Sequence, residues 1–410
     1  SKRLDKVMKS NFLFSFLSTF SRLFSGFFLI FFLARLLSVE DFGVFTYSLV
    51  FANILVLIVE YGYNLKLSKD TAKEPEKISE ITFKAVKVKG VLIFPLLLVV
   101  GVLWWMDFIE LQTFYVLFAL TISAIFNSFA NHFLIPYRSI DKFNIETIYV
   151  FLNNLSILCL VTYVAYIYNN LIFIAITFVC IKFIFMIATF FRFKKDFGIT
   201  HEKFEIKKEL METFPYAVHI AVGAMYLNVD TLILKEYVGD YDIGIYQAGM
   251  RALGAATIGL GVINSVLVPK LSSLSSDKKS LISLSTFFNR YILAFGLLIA
   301  IVINLFDSEL INLVYSNKFS DLTQYVFLFS IVIFMRYFGS VYGTLLTISD
   351  NQKVRTIGVT LTLFLIVILD LCLIPIYGIY GALYSLIIAH VVLNGIYIYF
   401  SYKEYKSFYF

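Results

Sequence analysis

Twelve apolar segments of about 20 residues, separated by short polar stretches, constrain this chain more than any other feature of its sequence. An apolar segment of that length spans a bilayer as an α-helix, whereas a transmembrane β-strand needs about 9–11 residues and alternates polar with apolar side chains. Hydrophobic residues make up 60% of the chain, which is far above the share in soluble domains. We therefore predict an all-α polytopic membrane protein. The predicted spans are residues 12–34, 43–65, 84–105, 112–137, 146–168, 171–191, 214–235, 244–268, 286–306, 322–347, 355–374 and 378–401.

A repeated polar turn divides the chain into two similar halves. Leu33–Tyr47 reads LARLLSVEDFGVFTY and Leu234–Ala248 reads LKEYVGDYDIGIYQA, so aspartate and glycine recur at a constant offset of 201 residues. Each copy joins two apolar segments, and internal repeats of this kind are typical of transporters with a site between two related bundles. We predict two pseudo-symmetric six-helix bundles, residues 1–191 and 214–410, joined by a cytoplasmic linker at residues 192–213.

The distribution of Lys and Arg predicts the orientation of the chain. If the N-terminus is cytoplasmic, the inner segments carry 26 of these residues and the outer loops carry 3, with seven between Lys66 and Lys89. This bias follows the positive-inside rule and places both chain ends in the cytoplasm. The alternation of basic segments with spans argues against nucleic acid as a partner, despite a net charge of +6. The three cysteines lack metal-ligand spacing, so we expect no metal site.

Polar side chains follow one face of span 1. A similar set of polar side chains occurs 201 residues later, in span 7. Small and hydroxyl residues also pack helices against one another, which is the structural alternative. The basic residues on the same faces favour an internal cavity instead. The predicted cavity-lining residues are Ser18, Thr19 and Ser25 in span 1, and His219 and Tyr226 in span 7.

Basic side chains inside the spans predict an anion-binding cavity, because an ionised group at mid-membrane costs roughly 3 kcal/mol and usually lines a functional path. The candidates are Arg22, Lys182, Arg251, Arg290 and Arg336. Arg22 and Arg336 lie far from both ends of their spans, and Arg22 has no acid at its own depth on span 2, so Arg22 is the strongest candidate. Arg290 is near the cytoplasmic end and could snorkel to the interface. Arg251 either binds cargo or pairs with Asp230, which lies at a similar depth.

Acidic residues inside the spans are fewer than basic ones. They are Glu60, Asp230 and Asp370, of which Asp370 is close to the outer end of its span and could be solvated. The excess of cations predicts an anionic cargo. Guanidinium groups bind phosphate oxygens in a bidentate manner, so a diphosphate group fits several converging arginines.

Three stretches resemble Wzx-type polysaccharide flippases, a branch of the multidrug/oligosaccharidyl-lipid/polysaccharide (MOP) exporter superfamily. They are LARLLSVEDFGVFTYSLVFANIL at 33–55, VEYGYNLKLSKDTAK at 59–73 and NVDTLILKEYVGDYDIGIYQAGMRA at 228–252. The resemblance implies a MATE-like fold of two six-helix bundles and alternating access of a central cationic cavity. It also implies a non-enzymatic transporter that moves undecaprenyl-diphosphate-linked oligosaccharide, such as an O-antigen unit, to the outer leaflet of a bacterial inner membrane.

The resemblance further implies coupling to H⁺ or Na⁺ through acids and amides of spans 7, 11 and 12. The nearest matches in this chain are Asp230, Asp370 and Asn394, and Glu60 stands where the family often has aspartate before Tyr-Gly. Arg22 resembles the cavity arginine of span 1 in related lipid flippases. The implied partners are membrane lipid and other polysaccharide-assembly proteins, without a bound cofactor.

Two other functions are compatible with a polytopic helical chain. A drug exporter of the same fold would be expected to have an anionic cavity for cationic drugs, whereas this chain predicts a cationic one. A glycan polymerase or glycosyltransferase needs a sizeable outer loop for its catalytic residues, and the longest predicted outer loop covers only residues 306–322.

Overall fold

A computed structural model describes residues 2–106, 109–200, 204–274, 277–349 and 352–405. The regular elements in these ranges are helices, and no strand occurs there, which confirms the predicted all-α class. The chain divides into two compact units, Ser1–Ala224 (unit 1) and Met225–Phe410 (unit 2). The division falls inside one long helix, Ile206–Lys235. The domain bounds taken from the sequence remain a prediction.

The helices follow one another with short connections. Unit 1 contains α1 (Lys2–Leu36), α2 (Val39–Leu55), α3 (Leu57–Glu60), α4 (Tyr63–Lys73), α5 (Ile78–Trp105), α6 (Leu111–Ser139), α7 (Phe143–Ser156), α8 (Thr162–Tyr168) and α9 (Leu171–Phe197). Helix α10 (Ile206–Lys235) begins in unit 1 and ends in unit 2. Unit 2 continues with α11 (Asp240–Ser272), α12 (Lys278–Leu305), α13 (Asp307–Tyr315), α14 (Thr323–Ile348), α15 (Gln352–Tyr377) and α16 (Ile379–Tyr405). A π-helical segment, Ile157–Val161, joins α7 to α8.

Eleven helical segments in the described ranges are long and apolar enough to cross a membrane. The chain is therefore a multi-pass membrane protein. The predicted span 244–268 lies in α11, which is not one of the eleven. The twelfth span therefore stays a prediction.

The repeated polar turn of the sequence connects two long helices in both copies. The first copy joins α1 to α2, where the Ser38 hydroxyl accepts a hydrogen bond of 3.0 Å from the Asp41 amide and caps α2. A serine N-cap satisfies one of the backbone donors that the first helical turn leaves unpaired. The second copy joins α10 to α11, and α11 begins at Asp240.

Helices α2 and α14 form the centres of their units. In the most apolar stretch of α2 with α3, 67% of the residues are buried. The corresponding share is 56% in α14 with its preceding 3₁₀ turn. Helix α2 packs on α6, and its Phe42 and Phe45 are wholly buried. Helix α14 packs against α11, α12 and α16, and its Tyr337 and Tyr342 are buried. Each central helix therefore leaves few of its positions uncovered by the rest of its unit.

A buried carboxylate holds the first turn of α10 against α4 and α5. The Glu209 side chain accepts from Lys66 Nζ at 2.5 Å and lies 2.5 Å from Lys84 Nζ. Tyr63 donates a hydrogen bond to the same carboxylate, and burial together with the charge of Glu209 raises the pKa of this tyrosine. These ion pairs fix the position where the chain enters α10.

Gly62 is required at the break between α3 and α4. Its φ is +76°, and a Cβ at this position would collide with the backbone of Tyr216 and Ala217 in α10. We expect Gly62→Ala to destabilise the protein by about 2 kcal/mol or more, because alanine is strained at positive φ and the contact leaves no room for a methyl group. Thermal denaturation of the detergent-purified protein measures this effect. Gly90→Ala is the matched control, because a Cβ there meets nothing within 4 Å, and an equal loss of stability in both variants would contradict the explanation.

Candidate functional site

Unit 1 contains a cavity of about 210 Å³ between α1, α2, α6, α7 and α9, which we call the unit 1 cavity. Its polar lining residues are Arg22, Ser25, Asn53, Ser123, Asn127, Asn154 and Lys182. The structure therefore brings together three of the predicted site residues, Arg22, Ser25 and Lys182. Amide and hydroxyl groups surround the two cations, and such groups can both donate and accept hydrogen bonds.

Arg22 has an acidic partner that the sequence analysis did not identify. Its Nη2 atom donates a hydrogen bond of 3.0 Å to Glu146 Oε1, and Glu146 lies on the first turn of α7. Arg138, at the end of α6, donates to both oxygens of the same carboxylate. Helices α1 and α7 are also tied by the Thr147 hydroxyl, which donates to the Phe14 carbonyl at 2.9 Å. Two arginines thus share one buried carboxylate. The three groups together carry one net positive charge at the edge of the cavity.

Lys182 enters the unit 1 cavity from α9 and binds a neutral group. Its Nζ atom donates to Asn127 Oδ1 at 2.8 Å. Asn154, on α7, contributes a further amide to the lining one turn before the π-helical segment. Single π-helical turns change the direction of the side chains around them and are frequent at functional sites.

The other predicted residues of unit 1 do not line this cavity. Ser18 is buried, whereas Thr19 and His219 are exposed. Glu60, at the end of α3, accepts a hydrogen bond of 3.2 Å from the Asn64 amide. These four residues remain predictions as site residues.

Unit 2 contains a larger cavity of about 430 Å³, which we call the unit 2 cavity. Three residues singled out from the sequence line it, namely Tyr226, Arg336 and Asn394. Its further polar lining residues are Thr257, Asn264, Ser340, Thr344, Thr347, Arg355, His390 and Tyr397. The cavity therefore combines two arginines with a dense set of hydroxyl and amide groups.

Several hydrogen-bonding groups around the unit 2 cavity are held in place by bonds within their own helix or to a neighbouring helix. His390 hydrogen-bonds through Nδ1 to the Leu386 carbonyl at 2.8 Å, so its Nδ1 carries the proton and Nε2 accepts from the Tyr226 hydroxyl at 3.4 Å. Asn394 donates to the Met335 carbonyl at 2.9 Å. Arg355 donates to the Thr347 hydroxyl at 2.9 Å. The positions of these groups are therefore fixed before a ligand enters.

Arg336 is the central cation of the unit 2 cavity. Its side chain is partly buried, and its charge interacts with Tyr226, Tyr246 and Asp230. Among the described residues, no carboxylate forms an ion pair with its guanidinium group. A buried arginine without a direct counter-ion is costly, so an anionic ligand would gain from binding it.

Arg251 and Arg290 lie outside the unit 2 cavity. Arg251 is close to Tyr315, and no ion pair in the described ranges joins it to Asp230. Tyr246 donates to one oxygen of the Asp230 carboxylate instead, and the role of Arg251 as a site residue stays a prediction. Arg290 lines a separate pocket of about 670 Å³ on α12, beside Phe287 and Tyr291, which are exposed.

Two buried carboxylates lie near one another in unit 2. Asp230 on α10 is 1% exposed and accepts a hydrogen bond from the wholly buried Tyr246 of α11. Asp370 on α15 is 0% exposed and interacts with the charge of Asp230, so the alternative of a solvated Asp370 is wrong. Both oxygens of Asp370 and Oδ1 of Asp230 lack a hydrogen-bond partner among the described residues. Buried orphan oxygens of this kind suit a proton or a small cation.

Sequence reasoning missed four charged or titratable residues at or near these sites. The sequence pattern places Arg138, Arg355 and Lys89 in cytoplasmic segments and Glu146 at the first position of the span 146–168. Lys89 instead lies within α5, wholly buried, and donates to the Ser128 hydroxyl at 2.8 Å. Its position inside an apolar run was a signal that could have identified it, because a lysine there needs a polar partner.

The sequence matches the family model described as "Polysaccharide biosynthesis protein" over residues 8–275. A capsular polysaccharide biosynthesis protein, CapF of Staphylococcus aureus, is 23% identical over 409 residues, which cover 96% of this chain and 99% of that protein. A Shigella dysenteriae protein with the provisional name O-antigen transporter is 24% identical over 282 residues, which cover 67% of this chain and 69% of that protein.

The fold is also similar to a solved structure of the lipid II flippase MurJ in an inward-closed conformation. The TM-score is 0.70 at 17% sequence identity, and the alignment covers 95% of this chain and 87% of that one. The structural similarity supports a shared fold. At this low sequence identity, the roles of individual MurJ residues cannot be transferred to this chain. The helical fold is thus similar to that of MurJ, which agrees with the MATE-like helical fold that the sequence resemblance implies.

Proposed function

We propose that this chain, which belongs to the polysaccharide biosynthesis protein family, moves a lipid-linked oligosaccharide with an undecaprenyl diphosphate carrier across a bacterial inner membrane. Movement would proceed from the cytoplasmic to the outer leaflet by alternating access. The observation that carries the proposal is the unit 2 cavity, where Arg336 has no direct counter-ion among the described residues and is surrounded by hydroxyl and amide groups. Guanidinium binds diphosphate oxygens, and hydroxyl and amide groups bind sugar hydroxyls.

The chemistry of the unit 1 cavity supports the same cargo. Arg22 and Lys182 supply positive charge, and Asn53, Asn127 and Asn154 supply amides. A cationic drug would be repelled by both cavities, because each presents basic side chains and neither is lined by a carboxylate among the described residues. These charges therefore favour an anionic glycolipid over a cationic drug.

We further propose that transport is coupled to H⁺ or Na⁺ through Asp230 and Asp370. The three orphan oxygens of this pair lie in a buried region of unit 2. A cation bound there would neutralise the repulsion between two carboxylates that are removed from water. The same proposal takes α11 as the twelfth span and places both ends of the chain in the cytoplasm.

Transfer of a lipid-linked oligosaccharide in proteoliposomes tests the proposal. The purified full chain is reconstituted with a fluorescent undecaprenyl-diphosphate oligosaccharide, and an impermeant lectin or reductant reports the exposed leaflet over time. We expect transfer with the protein and none in empty vesicles, and we expect faster transfer when an inward H⁺ or Na⁺ gradient is imposed.

Two outcomes would reject parts of the proposal separately. Transfer that is equal with and without protein would reject the flippase function, and uptake of a cationic dye would then support a drug exporter. Transfer that proceeds at the same rate under every ion gradient would reject coupling alone.

A further inference from the structure

We propose that Glu146 is an internal counter-ion that occupies Arg22 while the unit 1 cavity is empty, and that the anionic group of the cargo displaces it. The inference rests on the proposed function, because it assumes an anionic ligand at Arg22. It assigns a role to a residue that lies beside the cavity and does not line it.

The contact between Arg22 and Glu146 is a single hydrogen bond. Only Nη2 of Arg22 reaches the carboxylate, at 3.0 Å, and it reaches the oxygen Oε1 that Arg138 also binds. The Arg22 side chain is 46% exposed, whereas the Glu146 side chain is 4% exposed. The guanidinium group of Arg22 therefore has an open side toward the cavity, and the carboxylate stays behind it.

Arg138 lowers the energetic cost of separating Arg22 from Glu146. It donates to Oε2 of Glu146 through Nε at 2.6 Å and to Oε1 through Nη2. A bidentate pair of this kind is the strongest geometry for an arginine and a carboxylate. Glu146 consequently keeps a full counter-ion when Arg22 leaves, and no buried charge is left unpaired.

Lys182 provides the contrast within the same cavity. Its ammonium group binds the neutral amide of Asn127 at 2.8 Å, with no carboxylate of the described residues paired to it. An anion therefore displaces no carboxylate when it binds Lys182, whereas Arg22 becomes available only when a stronger anion competes with Glu146. A diphosphate, with more charge and more acceptor oxygens than a carboxylate, meets that condition.

Removal of the Glu146 charge is expected to tighten anion binding. The probe is farnesyl diphosphate, and its affinity for the detergent-purified full chain is measured by isothermal titration calorimetry. We expect Glu146→Gln to lower the dissociation constant on the order of tenfold, because one nearby negative charge is lost in a partly buried site. In proteoliposomes the same variant should transfer lipid-linked oligosaccharide more slowly, since release of the cargo is hindered. Glu110→Gln, which removes an equal charge from the exposed start of α6, should leave the affinity unchanged.

A double-mutant cycle tests whether Glu146 acts through Arg22. In an Arg22→Gln background, Glu146→Gln should tighten binding of farnesyl diphosphate by less than twofold, because the residue for which the two anions compete is absent. If Glu146→Gln does not fold, Arg138→Gln provides the second measurement. In Arg138→Gln, Arg22 is the remaining partner of Glu146 among the three residues. Farnesyl diphosphate then has to leave Glu146 unpaired when it binds Arg22, so its binding should weaken at least fivefold.

The outcomes separate this inference from the proposed function. Weaker or unchanged binding in Glu146→Gln, or unchanged binding in Arg138→Gln, overturns the counter-ion role. If Arg22→Gln alone leaves the affinity for farnesyl diphosphate unchanged, the unit 1 cavity is not a diphosphate site, and the assumption taken from the proposed function fails instead.

Discussion

Replacement of Arg336 with glutamine is expected to lower the initial rate of lipid-linked oligosaccharide transfer by about a hundredfold. Arg336 is the deep cation of the unit 2 cavity and has no ion-paired carboxylate among the described residues. Loss of one partner from a buried, hydrogen-bonded charge pair costs about 2–5 kcal/mol, and a hundredfold change corresponds to about 2.7 kcal/mol. Glutamine keeps a hydrogen-bond donor and similar bulk, so the effect isolates the charge.

The measurement is the proteoliposome assay, with the amount of reconstituted protein and its thermal stability determined for each variant. Arg290→Gln is the matched control, because Arg290 lies on the exposed face of α12 outside the cavity. We expect near-normal transfer in that variant. Arg336→Lys should retain partial activity, since lysine keeps the charge but lacks the planar fork of donors. A normal rate in Arg336→Gln would remove the unit 2 cavity from the transport path.

Neutralisation of Asp370 is expected to abolish the dependence of transport on an ion gradient. Asp370 and Asp230 are both buried, and Tyr246 donates a hydrogen bond to Asp230 alone. In Asp370→Asn the pair no longer carries two negative charges, so a cation gains much less from binding between the helices. We expect the gradient-stimulated part of the transfer rate to fall at least tenfold, while transfer without a gradient continues.

Stability provides an independent readout for the same variant. Because neither oxygen of Asp370 has a hydrogen-bond partner among the described residues, the charged side chain lowers the stability of unit 2. Asp370→Asn should therefore keep or raise the denaturation temperature while coupling is lost. Glu309→Gln, which removes an exposed acid in α13, should change neither property. If gradient stimulation survives in Asp370→Asn and Asp230→Asn, the coupling site lies elsewhere.

The sequence predicted the class of the fold because one physical requirement dominates a polytopic membrane protein. Each apolar segment of about 20 residues has to satisfy its backbone hydrogen bonds internally, and an α-helix does so without reference to the rest of the chain. The repeated turn is also predictable from the sequence, because residues that are neighbours along the chain form it.

The cavities could be predicted in part. A stripe of polar residues on one helix shows that Arg22 and Ser25 share a face, and both line the unit 1 cavity. The stripe does not show where its face points in the packed bundle. Thr19 and His219 belong to the same stripes and are exposed, since neighbouring helices cover only part of each face.

Length and hydropathy of the segments thus determined that this chain is a helical membrane protein, and basic residues within those segments indicated an anionic cargo. The tertiary structure decided which charges meet. Arg22 binds Glu146 across 124 residues of sequence, and Asp370 approaches Asp230 from a different helix. The energy of an electrostatic interaction falls as the distance in space between two charges grows. No periodicity along a single helix encodes that distance.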